Sequence, residues 1–509
     1  MALVIGGRIA ALDGNGSAIF KGRVWIGDDG RIDAVTHGNA PAPAGFSKAA
    51  IVDVGSAYVM PGIIDLHNHL GYNTLPLWAE PKQKVAFAHH NSWPSAPTYK
   101  PDLSWPAWVL AKAAPEALLA FVQTRALVGG TTSIQGWPTA SRELDQLLRN
   151  IDTEKADTGK DLILTSALTK TPTDLARIGQ AEAKGTGFIY HCAEGQPGTI
   201  VAREFTDAAT AGCLAPTFFG IHCTSVGAAD WKLWTRDRAG ALVWSPFSNY
   251  WLYGCTTDVP DAIRQKISIC LGSDWGPSGT KHVLAEVKVA KLASAKLGFG
   301  LRDQDFVAMV TTNAGDALAR CWGIQVGRLV KGAFGDVTVL RSRKKGSFWA
   351  DVVAATEKEV ALVVVGGKAR YGDADLMTDA KASPASTFTV ADVKRKLAVP
   401  DPNDGTKAWS WAAILAELEN VRKDPAGSLK KAEKRRSGFA GRVNAPDAPL
   451  ELMLDMPSGG LLAFAGPPPH PDQVVIPPLT SLVHDKAFFD SIHGRGFHGT
   501  LLDGLAKFY

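Results

Sequence analysis

Pro61-Gly62-Ile63-Ile64-Asp65-Leu66-His67-Asn68-His69 is the stretch on which the reading of this chain turns. An apolar, strand-like run leads into two histidines separated by one residue. Alternate residues of a strand point to the same side, so His67 and His69 can offer both imidazoles to one point. Alone, a His-x-His match arises easily by chance. Three later apolar runs, however, each end in a further ligand type: Gly187-Phe188-Ile189-Tyr190-His191, Phe218-Phe219-Gly220-Ile221-His222 and Ile269-Cys270-Leu271-Gly272-Ser273-Asp274. Imidazoles and a carboxylate, all at strand ends, describe a catalytic metal site that keeps a position open for water.

Around these runs the chain alternates strand-like and helix-like stretches. Strands are expected at 59–67, 131–136, 147–152, 161–168, 187–192, 218–223, 241–245 and 268–273. Helices are expected at 106–128, 173–184, 200–211, 283–296 and 303–321. That alternation argues for βα units on a parallel sheet. Eight such strands would close a (β/α)8 TIM barrel over 58–325, with its active site at the C-terminal strand ends. The third strand is ambiguous, since 147–152 could equally end a helix.

Both flanks differ in texture. Residues 1–57 read as short strands (2–5, 18–26, 31–35, 51–54) with a turn at Asp13-Gly14-Asn15-Gly16. The same texture returns at 336–340, 352–356, 360–365 and 368–371, so 1–57 and 326–375 together read as one small β domain. Residues 71–104 form a long insertion carrying Trp78, His89, His90, Trp93 and Tyr99. A loop that long is functional or disordered. A lid or pocket wall and simple packing on the barrel rim are both open. Residues 376–509 fit neither part and read as a C-terminal extension wrapping the barrel or a partner subunit. It holds an amphipathic stretch at 407–421, the proline-rich Gly466-Pro467-Pro468-Pro469-His470-Pro471, and His484, His493 and His498. The irregular spacing of those histidines argues for surface or packing roles over a second metal site.

Bulk properties narrow the function. The 509 residues are 46% apolar with a net charge of +4, ordinary for a globular protein. No basic stripe interleaved with aromatics suggests nucleic acid. The run Lys430-Lys431-Ala432-Glu433-Lys434-Arg435-Arg436 reads as a solvated helix face. Six cysteines form no Cys-x-x-Cys pair and no disulfide framework, which fits a reducing compartment. Cys192 and Cys223 follow ligand histidines and would point away from them as packing residues. The start lacks a signal pattern and no membrane span is evident. A cytoplasmic homo-oligomer acting on a small molecule, without nucleic-acid or membrane partners, is the expectation.

The four ligand segments, with His191-Cys192-Ala193-Glu194-Gly195 and Leu271-Gly272-Ser273-Asp274 among them, resemble the motifs of the amidohydrolase superfamily. The His-x-x-Glu form is similar to the deaminase and triazine-hydrolase branch. Val310-Thr311-Thr312-Asn313-Ala314, Gly327-Arg328-Leu329 and Gly335-Asp336 resemble weaker signatures of the same fold. The resemblance spans residues 1–373 and leaves the extension unexplained. It implies a distorted barrel with a composite β-sandwich built from both flanks. It implies one divalent metal ion, zinc or iron, held by His67, His69, His191 and Asp274, with His222 beside the water or the substrate. Binuclear relatives use a carboxylated lysine, for which Lys170 is the position to consider; a surface loop lysine is the alternative. One departure stands out. Where related deaminases carry His-Cys-Pro-x-Ser-Asn, this chain reads Trp244-Ser245-Pro246-Phe247-Ser248-Asn249, which weakens the case for nucleobase deamination specifically.

Such a site suits hydrolysis of a non-peptide C–N bond by metal-activated water. Asp274 can take the proton of that water. Glu194, three residues after His191, can carry it to the departing nitrogen, although a loop acid exposed to solvent is the other reading. His222 can stabilise the developing oxyanion. Trp78, Trp93, Ser248 and Asn249 are candidates for substrate contact; Ser248 and Asn249 could instead shape a turn. Deamination and cleavage of an amide, urea or carbamate are both open. A non-catalytic barrel used for binding or assembly is the alternative of a different class. The cytidine-type zinc deaminase fold needs a Cys-x-x-Cys pair, which this chain lacks.

Overall fold

The computed structural model describes residues 1–14, 18–38, 40–140, 147–234, 240–437, 449–456 and 467–509. Asn15 and Gly16 of the expected turn, and Gly466 of the proline-rich run, lie outside the described residues. The fold is mixed α/β. From the N-terminus come β1 (Leu3–Ile9), β2 (Phe20–Ile26), β3 (Ile32–His37) and β4 (Ala50–Pro61). Then follow β5 (Ile63–Asp65), β6 (Thr131–Ile134), β7 (Thr139–Ala140), β8 (Arg149–Asn150), β9 (Ile163–Ser166), β10 (Gly187–Cys192), β11 (Phe218–His222), β12 (Ala241–Trp244) and β13 (Ser268–Leu271). Last are β14 (Val337–Leu340), β15 (Val360–Val365), β16 (Lys368–Asp373), β17 (Ser386–Val390) and β18 (Val393–Leu397).

Strands from both flanks share one nine-stranded sheet, ordered β17-β18-β16-β15-β14-β4-β1-β2-β3. Its alternating side chains bury Ile5, Ile9, Val24, Val52, Val59, Val337 and Val364 in one core. β17 and β18 carry this sheet beyond residue 375. The strand expected at 352–356 is instead the end of a helix, Phe348–Ala354. Ser347 caps it by accepting the Ala350 N–H, and that local bond outweighs the β-branched pair Val352-Val353.

The strand expected at 59–67 is two strands in different sheets, broken at Gly62. β4 stays in the nine-stranded sheet, while β5 opens the three-stranded sheet β5-β6-β8. Parallel strands β13-β12-β11-β10-β9 form one sheet and β5-β6-β8 another. Leu66 N–H donates to Leu271 O at 3.3 Å, and Asn68 bridges Asp274 in parallel, which joins β5 to β13. The ambiguous stretch at 147–152 does contain a strand, β8, paired with β6.

Helices cover these strands. The helix expected at 106–128 is two, Trp105–Ala113 and Pro115–Val128, because Pro115 has no N–H to continue the first. The one expected at 303–321 is likewise two, Asp303–Met309 and Thr312–Trp322. His282 stands at the start of the helix Val283–Leu297 and is buried.

The extension wraps this same chain. Its helix begins at Trp411, later than expected, because 404–408 is extended. Trp411 packs on Phe121 with ring centroids 5.2 Å apart. His484 and His498 are buried packing residues and His493 is exposed. No helix among the described residues is long and apolar enough to cross a membrane.

Candidate metal centre

The ends of β5, β10, β11 and β13 meet at one place. Two close approaches make this possible. A Cβ at Gly272 would lie 2.4 Å from His67 Cβ, so the β13 end can pass directly against the β5 end. Gly136, at φ +84°, lets the β6 end come against the Asn68 carbonyl, where a Cβ would lie only 1.4 Å from that oxygen. The backbone then zips the two ligand segments together: Asp274 N–H donates to His67 O at 3.0 Å, and His69 N–H to Asp274 O at 3.2 Å.

The imidazoles of His67, His69, His191 and His222 cluster with ring centroids 4.6 Å apart for His67–His191 and 5.2 Å for His67–His222. Asp274 Oδ1 lies 3.2 Å from His67 Nε2 and 3.7 Å from His69 Nε2. The Nε2 atoms of His67, His69 and His222 are all buried without a hydrogen-bond partner. Buried imidazole nitrogens without partners are unusual. Here they face a shared carboxylate, with ligand atoms of His67, His69 and Asp274, and of His67, His191 and His222, within 4.8 Å of one another. That donor set fits a divalent cation.

Behind each ring a second group fixes its orientation. His67 Nδ1 meets Gln135 Oε1 at 3.1 Å, and His222 Nδ1 meets Asn249 Nδ2 at 3.0 Å. His191 Nδ1 meets Glu194 Oε2 at 3.2 Å, and His69 Nδ1 meets Asp455 Oδ2 at 2.8 Å. His222 and Asp274 hold left-handed backbone, at φ +64° and +61°, a conformation that costs about 1 kcal/mol or more outside glycine and clusters at functional sites.

Burial pushes His222 down to about 3, only partly offset by the Glu194 and Asp274 carboxylates. Burial, with His67 and His69 beside it, takes His191 well below the usual imidazole range. Burial alone would raise Asp274, but His67, His222 and His69 outweigh it and hold the carboxyl well below its ordinary range. Neutral His191 and His222 beside an ionised Asp274 fit the protonation state that ligation requires.

Glu194 is buried and sits at the centre of a second array. Tyr253 O–H donates to Glu194 Oε1 at 2.6 Å, and Trp93 Nε1–H donates to the phenolic Oη of Tyr253 at 3.0 Å. His222 Nε2 lies 3.7 Å from Glu194 Oε1. His90 stands between Glu194 and Glu204, 3.5 Å from the first and 3.0 Å from the second. The insertion is therefore a wall of the site: His90 N–H donates to Glu194 O, and His89 bridges Gly195.

Of the residues singled out from the sequence, His67, His69, His191, His222, Asp274, Glu194 and Asn249 come together, with Trp93 one hydrogen bond further out. Ser248 and Asn249 lie in the helix Pro246–Tyr253, not in a turn. Ser248 is turned to Ser278, 3.0 Å away. Trp78 stacks near Phe87 and bonds Thr98 and Trp251. Sequence reasoning did not single out Gln135, Tyr253, Glu204 or Asp455 for this site. They come from loops and helices whose patterns carry no ligand spacing, so nothing in the sequence marks them.

No protein-family model matches the chain. A 5-methylthioadenosine/S-adenosylhomocysteine deaminase of Caldicellulosiruptor saccharolyticus is 21% identical over 418 residues, 74% of this chain and 94% of that protein. An adenosine deaminase from Xanthomonas campestris with bound zinc superposes with a TM-score of 0.59 at 16% identity, covering 84% of this chain and 98% of that one. The chain shares its fold with these deaminases. An atrazine chlorohydrolase from Arthrobacter aurescens complexed with zinc is another structural neighbour (TM-score 0.56, 15% identity, 72% of this chain and 94% of that one). These amidohydrolase-fold neighbours extend the likeness across the mixed α/β fold.

Proposed function

We propose that the chain is a metal-dependent hydrolase that removes an amino group from a small nitrogen heterocycle, releasing ammonia. The single observation that carries this reading is the convergence of three unpartnered Nε2 atoms on Asp274, with Glu194 beside them. Relatives named as deaminases support the choice of a C–N bond. They leave a purely binding role without support. The two parallel sheets joined through Leu66 and Asp274 are read as one distorted (β/α)8 barrel, and the nine-stranded sheet as its composite β domain.

His67, His69, His191 and Asp274 would hold one divalent ion, zinc being the choice suggested by zinc-bound neighbours. When bound, such an ion lowers the pKa of water towards neutrality. Water adds to the ring carbon that bears nitrogen, the C–N bond breaks, and the nitrogen leaves carrying a proton. Asp274 and Glu194 are the two carboxylates available for that proton. Asp274 faces the imidazole cluster and is suited to accept it. Glu194 is suited to deliver it, because Tyr253 and His191 orient its two oxygens separately. His222 Nε2, neutral and aimed between the two acids, can hydrogen-bond the oxygen that gains charge. Asn249 holds the opposite face of that ring. Trp93 and Trp275, with centroids 5.5 Å apart, offer an aromatic wall for a flat substrate.

The test is ammonia release by the zinc-loaded full chain across aminated purines, pyrimidines and triazines. Release with at least one of these, lost on chelation and restored by zinc, is expected. Amine release from amides or ureas with no ammonia from the panel would move the reaction to that other class. Equal turnover with and without metal would overturn the reading.

A further inference from the structure

The extension reaches back 386 residues along the chain to touch His69. Asp455 Oδ2 lies 2.8 Å from His69 Nδ1. With that proton shared towards Asp455, the lone pair of Nε2 is left facing Asp274. The other rings find their supports nearer in sequence: Gln135 behind His67, Glu194 behind His191, Asn249 behind His222.

The contact is built into the packing. Leu450, Leu452, Leu454 and Met456 are all buried, in alternation with more exposed neighbours. Leu452 and Met453 pair antiparallel with Ala140 and Thr139 of β7, just after β6. Gly71, two residues past His69, leaves space for this strand: a Cβ there would come within 2.6 Å of Leu454 Cδ2. Among the described residues, His69 is the one ion-pair partner of Asp455.

We propose that residues 450–456 are part of the metal centre, with Asp455 as a positioning residue that fixes His69 for ligation, so that cation binding and docking of the extension are linked. This rests on the reading of His67, His69, His191 and Asp274 as cation ligands. A carboxylate behind a ligating imidazole fixes its tautomer and raises its basicity, and losing such a partner weakens affinity by about 10–100-fold. Linkage then works in both directions: a segment that tightens the cation is itself held more firmly when the cation is bound.

The experiment uses the full chain and zinc. Affinity is measured by competition with a chelating indicator for the unchanged protein, Asp455→Asn and Asp455→Glu. Amide exchange at 450–456 is followed with and without zinc. The expected results are a loss of about 10–100-fold for Asp455→Asn, recovery with Asp455→Glu, and slower exchange at 450–456 only when zinc is present and Asp455 is intact. Should the Asn variant fail to fold, the exchange of the unchanged protein decides alone. Tight zinc binding with no change in that exchange, or with undiminished affinity in Asp455→Asn, would overturn the inference. Absence of zinc binding in the unchanged protein would instead overturn the metal reading beneath it.

Discussion

Among the described residues, the buried histidine–carboxylate cluster at the strand ends and the one around Glu357 are built in opposite ways. In the centre at the ends of β5, β10, β11 and β13, three Nε2 atoms converge with no hydrogen-bond partner. In the second cluster, Glu357 Oε1 accepts from His282 Nε2 at 2.9 Å, His484 Nδ1 at 2.8 Å and His484 N–H at 3.0 Å. His484 Nε2 in turn accepts from Lys281 N–H at 2.9 Å. Proximity of imidazole and carboxylate is common to both. Buried Nε2 atoms without partners, converging on one point, belong to the first. The second is nearly saturated and ties the C-terminal tail to the body. What distinguishes the proposed ligand site from the clamp is therefore hydrogen-bond accounting, not composition.

The largest expected effect breaks the first cluster. His67→Ala should lose the bound ion, from about one per chain to none, and turnover should fall to background while circular dichroism stays native. Metal analysis and the ammonia assay read both. Next, Glu194→Gln should keep its ion and lose turnover by about 10²–10⁴-fold, the range of a general acid–base group.

The clamp should respond in the opposite currency. His484→Ala leaves Glu357 buried and short of a donor, so urea unfolding should show a loss of about 3–5 kcal/mol. Zinc content and turnover of the folded fraction should be unchanged.

A third buried acid gives the smallest and sharpest contrast. Among the described residues, Glu286 accepts from Phe247 N–H and Thr280 Oγ1 and from no imidazole. Burial pushes it up to about 8, whereas Glu357, with its two histidines, overcomes the same burial and sits well below the ordinary range. The native state thus holds a proton on Glu286 that the unfolded chain releases near pH 4.5. Stability contributed by that proton is full below the unfolded value and declines as pH rises towards the folded one. The decline approaches about 1.4 kcal/mol per pH unit between those values. Glu286→Gln should remove this slope in urea titrations from pH 5 to 8.

The contrast also explains what could be read from the sequence. His67, His69, His191, His222 and Asp274 each close an apolar strand run, and a parallel sheet brings such ends to one edge. Their convergence was therefore legible. The nine-stranded sheet was legible as strand texture on both flanks, but not its reach to β17 and β18, whose polar faces give weak alternation. The helix at Phe348–Ala354 was misread because two valines outweighed a serine cap. Asp455, Tyr253 and Glu204 were not legible, since their positions follow from how loops and the extension drape over the sheet edge. The clamp was half legible: surface or packing roles were expected for the tail histidines, while nothing in the sequence paired His282 and His484 with Glu357.

The most direct test is an anomalous difference map at the zinc edge from zinc-loaded crystals. One peak enclosed by His67, His69, His191 and Asp274, with none between His282, Glu357 and His484, is the predicted result. A peak confined to the tail cluster, or no peak at the strand ends, would contradict the account.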